Sequence, residues 1–175
     1  QRQMCIRDSL GRLLITLMLI NDGVLHSCLF YPSFQFKKNR SEYYRQLTSV
    51  RERGTYEEWI EFFCNSLLES AKDSVGSLKN LVDLHNRSTA TITENLGRTA
   101  ANGQRLLGIL EEHPIVDTAF IAAQLDIGRS TASSLVKSFE ELGILRPLDE
   151  SRQRYRQYGY EEYLSILRED AEPIR

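Results

Sequence analysis

The sequence predicts a mainly α-helical fold with a small β-hairpin near its C-terminal end. Three observations lead there. Leu13 to Ile20 is an apolar run ending at Asn21-Asp22-Gly23. From Phe34 to Leu106 apolar residues recur at roughly three- and four-residue intervals, without a proline, which is the period of one helix face. Beyond Gly103, short apolar runs separated by cap and stop residues lead into the alternating stretch Arg152-Gln153-Arg154-Tyr155-Arg156-Gln157-Tyr158.

In the first run, Leu13, Leu14, Leu17, Met18 and Leu19 cover most of a helix circumference, and only Arg12 and Thr16 are polar. A helix apolar all round is buried in a domain centre or lies in a membrane. This one falls well short of the roughly 20 residues that span a bilayer, so a buried core helix is expected. Asn21-Asp22-Gly23 is a helix stop and not a small-residue cleavage site. Arg12 in the first turn of a buried helix needs an anionic partner; the alternative is a side chain that snorkels to the surface.

Tyr31-Pro32-Ser33 opens the next helix with Ser33 as its N-cap. From Phe34 to Arg53, Phe36, Tyr43, Tyr44, Leu47 and Val50 line one side, and Lys37, Lys38, Arg40 and Arg45 lie mostly elsewhere. Gly54 closes that helix. Thr55 begins another, with Glu57 and Glu58 suited to its N-terminus and Trp59, Ile60, Phe62, Phe63, Leu67 and Leu68 as its core face. Ala71 to Leu106 then reads as one long polar helix or two consecutive ones. Val75, Leu78, Leu81, Val82, Leu84, Ile92 and Leu96 form a stripe too irregular for a coiled coil. It is either a solvated bundle helix or a dimer seam.

Leu106, Leu107, Ile109 and Leu110 make a helix ended by Glu111-Glu112-His113-Pro114. Asp117 or Thr118 caps a second helix running to Leu125. After the turn Asp126-Ile127-Gly128-Arg129, Ser130 caps a third, with Leu135, Val136, Phe139 and Leu142 as core and Gly143 as stop. The small Ala122 and Ala123 allow the steep helix crossing of a helix-turn-helix. Ile144-Leu145, a turn at Pro147 to Ser151, and Arg152 to Tyr158 read as a hairpin wing; Tyr160 to Leu167 closes the domain. Order, lengths and turn chemistry describe a winged helix-turn-helix.

That module presents Arg129, Ser130, Thr131, Ser134 and Lys137 on its third helix, and alternation places Arg152, Arg154 and Arg156 on one side of a strand as a phosphate-contacting comb. Against DNA, Glu140 and Glu141 follow closely, and the helix lacks a second Arg, an Asn or a Gln to read bases. A structural or protein-docking role fits these residues at least as well as DNA reading.

A family resemblance runs from Leu10 to Phe63. Leu10-Gly11-Arg12 running into Leu-Leu-Ile-Thr-Leu resembles the end of the Fic (Fido) signature, His-Pro-Phe-x-(Asp/Glu)-Gly-Asn-Gly-Arg-x-x-Arg, and the helix after it. The resemblance continues through Tyr31-Pro32-Ser33, Asn39-Arg40-Ser41-Glu42-Tyr43-Tyr44 and Val50-Arg51-Glu52-Arg53-Gly54 to Glu58-Trp59-Ile60-Glu61-Phe62-Phe63. It also extends to the C-terminal winged domain attached to many bacterial Fic proteins. The resemblance implies AMP transfer from ATP, with Mg2+, to a Ser, Thr or Tyr hydroxyl of a target protein. It assigns Tyr43, Tyr44, Leu47 and Arg51 to the adenine and ribose pocket, and Arg12, as the second Arg of the signature, to terminal phosphate charge or to a self-inhibitory Glu. Judged on spacing alone, Tyr43 and Tyr44 read as core aromatics of a plain amphipathic helix, because aromatic stripes usually mean packing. The catalytic His, the acidic residue, the Gly-Asn-Gly loop and the first Arg are absent, and Ser9 stands where that Arg belongs.

Met4-Cys5-Ile6-Arg7-Asp8-Ser9 back-translates to the transposon end used as a sequencing adapter, and Arg2-Gln3 to the tail of the same element. Residues 1–9 are accordingly set aside from the fold. The expected organisation is a C-terminal part of a Fic domain over 10–72, a helical linker over 73–102, the winged helix-turn-helix over 103–170 and a tail over 171–175. Such a fragment should have no catalytic residues of its own and bind neither ATP nor Mg2+ tightly. The other reading is a winged-helix DNA-binding transcription regulator with an N-terminal dimerisation region.

A net charge of −2, with 26% charged residues, argues against a strongly basic nucleic-acid binder and against a disordered acidic tail. Cys28 and Cys64 read as reduced core residues. His26, His85 and His113 are scattered, so no metal site is expected. The expected setting is cytoplasmic, with ATP, a target protein, DNA and a second copy as candidate partners, and no membrane.

Overall fold

The computed structural model describes residues 13–14, 17–24, 32–149 and 156–169. The fold is mainly α-helical with one small antiparallel sheet. One compact unit ends at Ser77 and a second spans Leu78–Glu169. The boundary lies inside the stretch expected to be a linker.

In the first unit, residues 13–14 and 17–21 are helical (α1). The expected stop is present: Gly23 adopts φ +71, its N–H bonds Ile20 O, and Val24 N–H reaches back to Leu19 O. This crossed pair satisfies the last carbonyls of a helix. The expected burial is not found. Leu13, Leu14, Leu17 and Met18 are all more than half exposed. An apolar circumference states which surface favours being covered; covering it takes other elements of the fold.

Pro32–Lys38 forms α2 and Arg40–Arg53 forms α3. Pro32 takes the first helical position, where its missing N–H costs nothing. Ser33, expected as the cap, therefore sits inside the first turn. Asn39, at φ −103 and ψ 37, divides the single helix expected here. Gly54 ends α3 at φ +70 with its N–H on Val50 O. α4 follows from Tyr56 to Asn95, with Glu57 and Glu58 in its first turn. Trp59, Phe62, Phe63 and Leu67 are partly buried, but Ile60, Cys64 and Leu68, expected in the core, lie on the exposed side, and Cys28 lies outside the described residues. Phe36 is the buried centre of the unit, and buried Gln35 donates from Nε2 to Asp73 Oδ2 at 2.6 Å, joining α2 to α4.

In the second unit, the last part of α4 is followed by a 3-10 turn at Gly97–Thr99 and by α5, Ala100–Glu112. β1 is Ile115–Asp117, α6 is Thr118–Leu125 and α7 is Arg129–Glu141. β2 (Arg146–Pro147), β3 (Gln157–Gly159) and α8 (Glu161–Glu169) complete it. This order is that of a winged helix-turn-helix. Leu84, Ile92, Leu106, Leu107, Leu110, Ile121, Leu125, Leu135, Val136, Phe139 and Leu145 form its core. Leu84 and Ile92 thus make part of the expected linker integral to the domain. Gly103 allows the close approach there: a Cβ on it would lie 2.8 Å from both Ile92 Cγ2 and Leu96 Cδ1.

Three details differ from expectation. The sheet has three strands in the order β1-β3-β2, because β1 pairs with β3 through Val116 and Tyr158. Ile144 and Leu145 are buried ahead of β2 and do not start the hairpin. Gly128, not Ser130, is the N-cap of α7, and the turn before it is made by Asp126 in the left-handed region at φ 54. The cap of α6 is as expected, with Asp117 Oδ1 accepting from Phe120 N–H at 2.7 Å.

Tyr160 is 1% exposed and its hydroxyl shares a 2.8 Å hydrogen bond with Ser88. Burial pushes the phenol up from 10.0 to about 12, against the opposing effect of Ser88. Ionisation is harder folded than unfolded, so this stabilisation is complete below the unfolded value and is lost as pH rises towards the folded one. Denaturant titrations at about pH 7 and about pH 11 should show a clear alkaline loss for the wild type and a smaller one for Tyr160→Phe. At neutral pH the variant should be about 1–2 kcal/mol less stable, because Ser88 loses its buried partner.

Candidate nucleic-acid interface

α7 is amphipathic, and its burial decides what it presents. Ala132, Leu135, Val136 and Phe139 are buried. At about 100° per residue the opposite side then carries Ser130, Ser133, Ser134 and Lys137, all of them exposed. Arg129 and Thr131 are exposed beside them in the first turn. Gly128 provides no side-chain cap, and the first intrahelical bond is Ala132 N–H to Gly128 O. The N–H groups of Arg129, Ser130 and Thr131 consequently have no partner within the helix, at the end where the helix dipole is positive.

Ser130, Ser134 and Lys137 therefore share the exposed side of α7, and Arg129 and Thr131 are exposed on its two flanks in the first turn, about 160° apart. Ser133, not singled out beforehand, belongs with them; it lies three residues after Ser130 and four before Lys137, the interval of one helix face. Lys137 Nζ is 3.8 Å from Glu141 Oε1, an exposed pair that competes weakly for the charge. Arg152 and Arg154 lie outside the described residues. Arg156 is half-buried immediately before β3.

The expected nucleotide residues have different surroundings. Tyr43 is 8% exposed and sits in an aromatic cluster, its ring centroid 5.3 Å from Phe36, 5.4 Å from Tyr44 and 5.6 Å from Trp59. Phe63 stacks on Phe36 at 5.8 Å. Tyr44 is half-buried, with the Arg40 guanidinium 5.7 Å from its ring centroid. Leu47 is half-buried and Arg51 exposed. Arg12 lies outside the described residues. Glu42, one residue before Tyr43, takes hydrogen bonds from Arg45 and Gln46, which hold its carboxyl below the usual range.

The second unit has an open groove of about 360 Å³ lined by Asn80, Asp83, Arg87, Glu162, Ser165 and Ile166. Arg87 and Glu162 pair across it at 2.7 Å. An open, polar-lined groove is unlike the enclosed apolar pockets that bury small ligands. Among the described residues no three His, Cys, Asp or Glu side chains converge on a common point. No described helix is long and apolar enough to cross a membrane.

No family model matches this sequence. The residues themselves therefore carry the functional argument.

Tyr43 packs like a core residue, so Tyr43→Ala should lower stability by about 3–5 kcal/mol, the usual cost of deleting a buried aromatic. Tyr44→Ala should cost clearly less. Chemical denaturation of the two variants provides the comparison.

Proposed function

We propose that this chain docks on duplex DNA through its winged helix, with α7 lying against the phosphates. The observation that carries this is the exposed face of α7: three serines and Lys137, beside Arg129 at an uncapped, positively polarised helix end. Hydroxyls, N–H groups and cationic side chains are the groups that contact phosphate oxygens. The face has no Asn, Gln or paired Arg to read base edges, so docking should depend little on sequence. Glu140 and Glu141 repel phosphate from the other end of α7, which orients its N-terminal half towards the backbone.

The resemblance supports a second part of the reading: the chain derives from a Fic-type protein whose AMP-transfer machinery is not in this sequence. ATP, Mg2+ and a hydroxyl-bearing target protein would be partners of that parent. Support comes from the order of the motifs between Leu10 and Phe63, with Tyr44 and Leu47 half-buried and Arg51 exposed on α3.

Fluorescence anisotropy with the whole chain and a labelled duplex tests the docking. Affinity should fall steeply between about 50 mM and about 200 mM salt, because each neutralised phosphate releases counterions. Arg129→Glu with Lys137→Glu should weaken binding about equally on unrelated duplexes. Arg152→Glu, Arg154→Glu and Arg156→Glu together should weaken it further. No binding at about 50 mM salt overturns the proposal.

Incubation with labelled ATP and a bacterial lysate should leave both the chain and the lysate unlabelled. The general base alone is typically worth about 10²–10⁴ in rate, and here the metal carboxylate and phosphate loop of the signature are absent with it. Label transferred by this chain would refute the assignment of the chemistry to residues outside it.

A further inference from the structure

α4 has a second apolar face. Within the first unit, Ile60, Cys64, Leu68, Ala71 and Val75 are all exposed, and Ile60, Leu68 and Val75 are each more than half accessible. Intervals of four, four, three and four residues keep them within about 80° of one another around the helix. Trp59, Phe62, Phe63, Ser66 and Ser70 occupy the inward side. The stripe is therefore separate from the core face. It also differs from the irregular series that begins at Val75 in the sequence pattern, which leaves Ile60, Cys64 and Leu68 to the core.

The edge of this stripe is charged in a specific way. Glu61 and Lys72 are exposed and fall on the same edge, about 20° apart around the helix. Lys72 bonds Glu69 of its own helix at 2.8 Å, an exposed pair, and Glu61 forms no ion pair among the described residues.

We propose that this stripe is the interface between two copies of the chain, packed antiparallel about a two-fold axis beside Leu68. Running the helices in opposite directions sets Ile60 against Val75 of the second copy and Cys64 against its Ala71. The two Leu68 side chains then lie next to each other at the axis. Small Ala71 lets the backbones approach. A two-fold interface uses the same patch twice, so each matched pair occurs twice. The same operation places Glu61 on the edge next to Lys72 of the other copy, again twice. A parallel pair would set each Glu61 level with its counterpart and about 16 Å along the axis from Lys72. Charge complementarity thus selects a second copy, and selects the antiparallel arrangement of it. One helix pair of this length buries less than the roughly 1,600 Å² of a standard interface, so micromolar association is expected. The interface is independent of the DNA-docking reading.

Analytical ultracentrifugation of the whole chain without DNA, from about 1 μM to about 200 μM, should show a reversible monomer–dimer equilibrium. Leu68→Glu, at an exposed position, should retain wild-type helicity by circular dichroism and raise the dimer Kd at least about tenfold. Glu61→Lys and Lys72→Glu should each weaken the dimer, and the double variant should return to within about twofold of wild type, because the pairs are re-formed with reversed sign. In a Cys5→Ser/Cys28→Ser background, Ala71→Cys should give a covalent dimer with Cys64 on mild oxidation, whereas Cys64 alone should not. A monomer at every concentration, association unaffected by Leu68→Glu, larger oligomers, or ready Cys64–Cys64 cross-linking would each overturn the proposal.

Discussion

The winged helix depends on burying one face of α7. Once Ala132, Leu135, Val136 and Phe139 enter the core with Leu106, Leu107 and Leu110, the helical period leaves Ser130, Ser133, Ser134 and Lys137 outside. Apolar burial is non-directional, and the fixed angle between successive residues turns it into a directional display. Asp126 and Gly128 set where α7 starts, and so which N–H groups are left at its end. The candidate interface is in this sense the reverse side of a packing solution. Its chemistry, rich in hydroxyls and modest in charge, suits phosphate contact better than base reading.

The first unit shows how one residue type serves two purposes that a pattern does not separate. An aromatic ring suits stacking on a base and suits packing on other rings equally well. Phe36, Trp59 and Tyr44 surround Tyr43, so most of its surface is committed to the protein itself. Polar groups within the unit are matched too: Gln35 with Asp73, Ser66 with the Phe62 carbonyl and Ser49 with Thr55. Such pairing offsets the cost of removing these groups from water and fixes how the helices meet.

On α1, and at Ile60 and Leu68 of α4, side chains that the sequence pattern assigns to the core are exposed. A run of leucines in α1 and a Trp-Ile-Glu-Phe-Phe series in α4 give a strong helix signal. Neither indicates whether the same chain supplies a cover. Ile60 follows Trp59, and Leu68 follows the partly buried Leu67, by a single residue, which is a rotation of about 100° each time. With apolar residues on both sides of α4, periodicity alone does not reveal which side faces inward.

The sequence by itself determined what depends on neighbours along the chain. Helix stops at Gly23, Gly54 and Gly143 follow from a backbone that tolerates positive φ, and the cap at Asp117 from a short side chain that reaches an N–H three residues on. The order of helices and the presence of a wing follow from the same local chemistry. Only the tertiary structure decided what depends on residues distant in sequence. β1 exists because Val116 meets Tyr158, and three residues carry no period of their own. The second half of α4 joins the winged domain because Gly103 leaves room for Ile92. Tyr43 is enclosed because Phe36 and Trp59 converge on it from either side in sequence. Local preferences are set by bonded geometry over a few residues, whereas burial is a property of the surfaces that happen to meet.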